Sequence, residues 1–321
     1  MKYWLGIDLG GTNIATGVVD ENYNIIGRGR VKTGAGRPVE EIADDIAKAV
    51  YLAIEDAKID EKDLVAVGVG SPGAIIADKG IVATAENMGF FNTPLCAMLK
   101  ERTGFDFYIE NDANAAAYGE LLAGAGKGKT SFVTVTLGTG VGSGIIIDGK
   151  IFSGYNRAGG ELGHTVIIKG GQMCGCGRMG CFETYASATA LVRQTKAAMT
   201  CDRNSLMWDL VDGDLSRVSG RTAFDGMRKG DATAKRVVDR YIEFLSIGIV
   251  NIINIFQPEM LCIGGGISKE GDNLITPLME YVTLERYSKN IERQTEICCA
   301  KLGNDAGIIG AAFLCNLYKK D

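Results

Sequence analysis

The sequence predicts an α/β protein built as two related α/β domains with a cleft between them. Three observations carry that expectation. A pattern of strand, glycine-rich turn, strand, acidic turn and strand runs over residues 3–32 and recurs from Phe132 past Asp148-Gly149. Short apolar runs alternate with amphipathic stretches of helical period, as in mixed α/β domains. A length of 321 residues favours two domains over one. The division expected is 1–118, a smaller N-terminal domain, and 119–303, a larger one, with a last helix at about 304–321 packing back on the first. No long Pro- or Ser-rich linker marks the crossing.

In chain order, residues 3–7 are a strand that ends in Asp8-Leu9-Gly10-Gly11-Thr12-Asn13, and 14–19 and 24–32 are the next two strands. Val39, Ile42, Ile46, Val50, Ala53, Ile54 and Ala57 recur at helical spacing and predict a helix over 39–57. A buried strand at 64–69 runs into Gly70-Ser71-Pro72-Gly73; Asn87 falls in a loop, followed by a helix at 94–102 and a strand at 107–109. Residues 110–120 pass from a strand end into an alanine-rich helix. The second half reads as strand 132–137, glycine turn 138–144 and strand 145–147. Helices follow at 184–199, in short pieces over 203–229 broken at Gly213, Gly220 and Gly226, and at 232–256. Strand 260–263, the triplet Gly264-Gly265-Gly266, helix 273–281, strand 296–300 and helix 306–317 complete the chain.

Composition narrows the function classes. A net charge of −5 gives no electrostatic case for nucleic acid or for a membrane surface. The most apolar stretch, 242–256, is interrupted by Glu243, Ser246, Asn251 and Asn254, too often for a span of about 20 apolar residues. Nine cysteines, an odd number, and no secretory leader point to the cytoplasm.

The glycine turn at 10–11 permits positive φ and lets backbone N–H groups converge on an anion, with the Thr12 hydroxyl as a further donor and Asp8 placed for an accompanying cation. A Gly-Gly hairpin needs no anion, so the turn by itself leaves both readings open. The turn at 138–144 suits a second anion in a cleft facing the first. Gly264–266 suit either a free strand-to-helix turn or a flat base or ribose lying against bare backbone. Asn111 and Asp112 stand where an N-cap belongs, and equally where α/β proteins present ligand-binding groups at a strand's C-terminal end.

The stretch 161–183 carries the densest chemistry: Glu161, His164, Cys174, Cys176, Cys181 and Glu183, interleaved with glycine. The chain's one histidine and three cysteines within eight residues make a closed tetrahedral shell, which predicts a structural zinc with no open position for water. The alternatives are small apolar cysteines or a disulfide between two of them. Glu161 and Glu183, held beside the imidazole by such a metal, suit a polyhydroxyl ligand; solvated surface charges are the plainer reading.

Together these stretches resemble the ROK family of sugar kinases, named for repressors, open reading frames and kinases, within the actin-like, hexokinase-type ATPase fold. The likeness runs nearly end to end. Its most specific part is Glu161-Leu162-Gly163-His164 with Cys174, Cys176, Cys181 and Glu183. The segments 8–12, 110–114, 137–144 and 264–266 match in sequence and order. The resemblance implies that Asp8, Gly10, Gly11, Thr12, Asn13, Gly138, Thr139, Gly140 and Gly142 hold the ATP phosphates, with Mg²⁺ near Asp8. It implies that Gly264, Gly265 and Gly266 approach the adenosine. It gives Gly73, Asn87, Asn111, Asp112, Glu161, His164 and Glu183 to a hexose, Asp112 being the general base. The stretches 110–120 and 180–183 resemble the family's bacterial glucokinases more than its other kinases, which act on fructose, N-acetylmannosamine or N-acetylglucosamine. The family also contains sugar-responsive regulators with a helix-turn-helix ahead of the sugar domain, whereas here the first strand begins at Tyr3. A sugar-binding protein without catalysis is the third reading. A homo-oligomer, dimer or tetramer, is implied by resemblance alone.

Overall fold

The computed structural model describes residues 1–318, and its chain divides into two compact units. Unit 1 comprises Met1–Phe132, Gly144–Gly160 and the segment from Lys301 onward; unit 2 comprises Val133–Ser143 and Glu161–Ala300. Residues 119–132 and 144–160 thus group with the first unit, beyond the boundary expected at 118.

In unit 1 the strands are β1 (Tyr3–Leu9), β2 (Asn13–Val19), β3 (Ile25–Lys32), β4 (Leu64–Ser71), β5 (Ala74–Ile76), β6 (Ile81–Ala85), β7 (Phe90–Thr93) and β8 (Phe107–Asn111). The helices are α1 (Val39–Ala57), α2 (Leu95–Thr103) and α3 (Asp112–Ala123). The main sheet is ordered β3-β2-β1-β4-β8, with β1 antiparallel to β2 and parallel to β4. Leu5, Ile7 and Leu9 pack with Ile42, Ile46 and Val50 of α1, so the helical stripe read from sequence covers the sheet. β5, β6 and β7 form a small antiparallel sheet that the sequence reading missed, having only a turn and a loop there. Its strands are three to five residues long, too short for a period of two to stand out.

The remaining elements are β9 (Phe132–Leu137), β10 (Val141–Ile147), β11 (Lys150–Ile151), α4 (Glu183–Ala186), α5 (Ala188–Cys201), α6 (Met207–Leu210), α7 (Thr222–Arg228), α8 (Ala232–Phe256), β12 (Met260–Gly264), α9 (Asp272–Glu285), β13 (Glu296–Cys299), α10 (Asp305–Ala312) and α11 (Cys315–Tyr318). The second sheet is ordered β11-β10-β9-β12-β13. That is the order of the first sheet repeated, third, second, first, fourth, fifth, as the repeated sequence pattern requires. In unit 2, α8 buries Tyr241, Leu245 and Ile249, and a Cβ at Gly248 would stand 2.3 Å from the Phe182 ring.

Four expectations differ in detail. The second glycine turn is shorter, because Val141 and Gly142 already lie in β10. The helix at 184–199 is broken at Ser187, whose side chain accepts from Ala190 N–H at 3.0 Å and caps α5. Gly226 lies inside α7 and breaks nothing. The last helix is two pieces, because the chain turns at Phe313 to set its ring 4.8 Å from Trp4 and 4.9 Å from Tyr23. Within unit 1, α10 sits backbone to backbone on α3, since a Cβ at Gly310 would meet Ala115 O at 1.7 Å. The part of the expected final helix at 319–321 lies outside the described residues. Among the described residues no helix is long and apolar enough to cross a membrane.

Candidate active-site residues

In unit 1, Asp8 stands one residue before the end of β1, between Ala15 of β2 and Gly70 of β4. The turn after it is closed by Gly10 N–H donating to Asn13 O at 3.0 Å, and held to β3 by the Thr33 hydroxyl on Gly10 O at 2.6 Å. Asp8, Gly10, Gly11, Thr12 and Asn13 line one cleft of about 680 Å³. Arg28, Asn304 and Asp305 also line it, and the sequence reading missed all three. The signal was there in part: Asn304-Asp305 stands at the start of the last helical stretch, where polar residues face whatever lies at a helix N-terminus. Arg28 clasps Asp305 with two bonds of 2.8 and 2.9 Å.

Asp112 opens α3 directly after β8. Asn111 serves as the N-cap, its Oδ1 accepting from Ala113 N–H at 3.0 Å and Asn114 N–H at 3.3 Å, while its Nδ2 donates to Gly73 O at 3.1 Å. Capping therefore falls to Asn111, which keeps one amide hydrogen for a ligand. Asp112, the first residue of α3, has its Oδ1 accepting from Ala113 N–H at 2.8 Å. Burial pushes the Asp112 carboxyl above its ordinary range. Asp8 is pushed up to about 6, first by burial and then by the charge of Asp112. Two buried carboxylates, one of which raises the other's proton affinity, are a site short of positive charge.

The supports of this strand end are equally specific. Gly73 has φ of +93°, and a Cβ there would stand 2.0 Å from Thr84 O, so only glycine makes the bend that brings its carbonyl to Asn111. Asn87 is exposed, with its Nδ2 4.0 Å from where a Cβ on Gly11 would lie. Glu110, buried and unremarked in the sequence reading, accepts from Asn111 N–H at 2.8 Å, from Asn114 Nδ2 at 3.0 Å and from the Tyr318 hydroxyl. It ties the Asn111-Asp112 corner to α11. Unit 1 thus brings Asp8, the glycine turn, Gly73, Asn87, Asn111 and Asp112 into one neighbourhood.

Unit 2 holds the other predicted residues. The turn at Gly138–Gly140 closes with Gly138 N–H on Gly140 O at 3.0 Å. Glu183 supports it: Val141 N–H donates to Glu183 Oε2 at 3.0 Å, and a Cβ on Gly140 would meet that oxygen at 2.2 Å. Gly265, with φ of +83°, lies against the end of β9, where a Cβ would stand 2.4 Å from Leu137 O; Gly266 has open space instead. Glu161 is exposed and precedes the single helical turn Leu162–His164. Its side chain makes no hydrogen bond among the described residues.

His164, Cys174, Cys176 and Cys181 bring their ligand atoms within 4.8 Å of one another. Cys174 Sγ lies 3.6 Å from His164 Nδ1, and Cys176 Sγ lies 3.7 Å from Cys181 Sγ. A tetrahedral zinc with ordinary bond lengths has edges of about 3.6 Å from nitrogen to sulfur and about 3.8 Å between sulfurs, so the donor set fits that ion. The cysteines are unbridged. Nδ1 faces the sulfurs, which leaves His164 Nε2 for another partner. Cys174 Sγ also lies 3.7 Å from Glu183 Oε1, so Glu183 touches both the knuckle and the second glycine turn.

Repeated five-stranded sheets, a glycine turn after the first strand of each and a carboxylate at a strand end define the class of actin-like, hexokinase-type ATPases. Within it the chain belongs to the ROK family, whose model matches residues 4–317. It is 37% identical to a glucokinase of Halalkalibacterium halodurans over 98% of this chain and 94% of that one. It is 38% identical to a glucokinase of Streptomyces coelicolor, with 98% of each covered. Among solved structures it resembles a ROK family glucokinase from Streptomyces griseus in complex with glucose and AMPPNP, with a TM-score of 0.82, 34% identity, and 97% of this chain and 98% of that one covered.

Proposed function

We propose that the protein phosphorylates glucose at its 6-hydroxyl with ATP as donor. The observation that carries the reading is the buried carboxylate Asp112 beside Asp8, on a chain similar over nearly its whole length to glucokinases. Asp112 accepts the proton of the sugar hydroxyl, the oxygen attacks the γ-phosphorus in line, and ADP leaves. Its raised proton affinity makes it a stronger base, and with Oδ1 on Ala113 N–H, Oδ2 is the oxygen that takes the proton. Backbone N–H groups of the turns at 10–13 and 138–142 take the phosphates, and Gly266, open on one face, suits the adenosine. Mg²⁺, which Asp8 would help to hold, would supply the positive charge that the two carboxylates lack.

Gly73, Asn87, Asn111, Glu161, His164 and Glu183 complete the hexose contacts in this reading. Glu161 accepts from sugar hydroxyls, and His164 donates through Nε2; a structural zinc, which His164, Cys174, Cys176 and Cys181 would hold, would fix its tautomer and orientation. Nine unbridged cysteines and ATP use suit a reducing, cytoplasmic setting. A homo-oligomer is part of the reading, and sedimentation tests it.

The deciding experiment is ADP release with ATP and Mg²⁺ against glucose, mannose, fructose, N-acetylglucosamine and N-acetylmannosamine. Turnover concentrated on glucose is expected. Turnover on an acetamido sugar keeps the mechanism and moves the substrate; none on any sugar, in metal-loaded protein, leaves a binding protein.

A further inference from the structure

We propose that the groove between α5 and α8 is a second binding site, for a small molecule carrying a phosphate monoester. The groove lies wholly in unit 2 and has a volume of about 550 Å³, the size of a small-molecule pocket. α5 lines it with Arg193, Ala197 and Ala198, and α8 with Arg236, Arg240 and Phe244. Alanines on one wall leave the room that the arginines opposite can reach across.

Charge singles the groove out. Three arginines and one carboxylate line it, and the oxygens of that carboxylate, Asp202, already accept from Asn204 N–H at 3.0 Å and the Thr233 hydroxyl at 2.5 Å. Arg28, Arg37, Arg102, Arg217 and Arg228 are each paired with a carboxylate. Among the described residues Arg193, Arg236 and Arg240 are not. Each is held by a neutral group: Arg193 by Thr184 O, Arg236 by the Thr233 hydroxyl at 2.6 Å, and Arg240 by the face of Phe244 at 5.4 Å. These contacts aim the side chains and leave most of their N–H groups open. Of the nearby acids, Asp239 is taken by Lys235 at 2.6 Å; Asp239 and Glu243 line a neighbouring hollow that Arg236, Arg240, Phe244 and Tyr281 also line, and neither acid is ion-paired with these arginines.

Several guanidinium forks lining one groove suit a dianionic phosphate, which such forks bind bidentately. The rings of Tyr185 and Phe244, 4.8 Å apart, form an aromatic wall for the organic part. Tyr185 is also the groove's link to the chemistry. Its hydroxyl accepts Gln172 N–H at 2.7 Å, and it follows Glu183 by two residues. A ligand against this wall touches the segment that carries Glu183 and leads into the knuckle, so occupancy biases hexose binding; that last step rests on the proposed function.

The test is calorimetric titration of phenyl phosphate into the full chain at low ionic strength. A saturable site is expected that weakens at least tenfold in R236Q/R240Q and in Ala197→Trp, which fills the groove without changing its charge. Binding to the parent should persist when AMPPNP is present. Equal affinity in the parent and both variants overturns the proposal, as does displacement by AMPPNP, which places the phosphate at the glycine turns. A changed sedimentation coefficient of R236Q/R240Q with unchanged phosphate affinity assigns the groove to a second copy of the chain and also overturns it. In turnover assays the parent's glucose KM should shift at least twofold with phenyl phosphate and that of R236Q/R240Q should not. If the chain turns over no sugar, the calorimetric result still stands.

Discussion

At single residues, the buried carboxylates Asp112 and Asp8 set charge against stability. Replacing Asp112 by Asn keeps the size and removes the proton acceptor. Turnover is expected to fall by about 10³-fold or more, with glucose affinity changed only several-fold; near-normal kcat in that variant would remove Asp112 from the base role. Because burial raises its pKa, kcat should decline on the acid side at a pH above the ordinary 3.8 of an aspartate, as the base becomes protonated. The sign for stability is the reverse of the usual carboxylate case. Asp8 binds its proton more tightly folded, with a pKa of about 6, than unfolded, where 3.8 is ordinary. In metal-free protein its charge therefore costs stability above pH 6, and the cost is relieved as pH falls toward 4. Asp8→Asn should be more stable than the parent at pH 7.5, by a margin on the order of 3 kcal/mol, and the two should converge near pH 4. A variant that melts lower at pH 7.5 counts against the charge-strain account.

At the scale of elements, short turns carry the proposed site and long helices carry the fold. The knuckle at 174–181 is tied by Cys174 N–H on Arg178 O at 2.8 Å and by Arg178 Nη1 on His164 O at 3.1 Å. Few apolar contacts replace a lost metal there, so Cys176→Ser should release zinc and lower the melting temperature together. Stoichiometric zinc with unchanged melting in that variant would break the ligand set. Gly73→Ala combines a positive φ with a Cβ 2.0 Å from Thr84 O, and should cost about 1–3 kcal/mol. Its effect on glucose KM should exceed its effect on kcat, since Gly73 O orients Asn111 and not Asp112. A kcat loss with unaltered KM would contradict that division.

At the scale of the whole molecule, the same sheet order occurs twice, and each copy places a glycine turn after its first strand. Ligands that bind only the folded chain add stability by mass action. Glucose and AMPPNP together should raise the melting temperature in a concentration-dependent way, by about 2.7 kcal/mol for a ligand at 100 times its Kd. The Asp112→Asn variant should show the same rise, because it binds but does not turn over. Absence of any shift with the parent protein would speak against both ligands.

What the sequence determined by itself is what local chemistry controls. Helices α1 and α8 match the stretches 39–57 and 232–256 because apolar residues at helical period report directly on a buried face. The repeated strand-turn-strand pattern determined the paired sheets, and the spacing of His164, Cys174, Cys176 and Cys181 determined a four-ligand cluster, since a tight glycine knuckle places its thiols within a few residues. Tertiary structure decided the rest. It gave the cap to Asn111, buried Asp112 at the start of α3, set Glu183 against Val141 N–H, and turned the last helix at Phe313 to reach Trp4 and Tyr23. It also placed Asp112 close enough to raise the pKa of Asp8, 104 positions earlier in the chain. These are contacts between residues distant in sequence, whose energies depend on burial and close approach, and a local pattern carries no record of either.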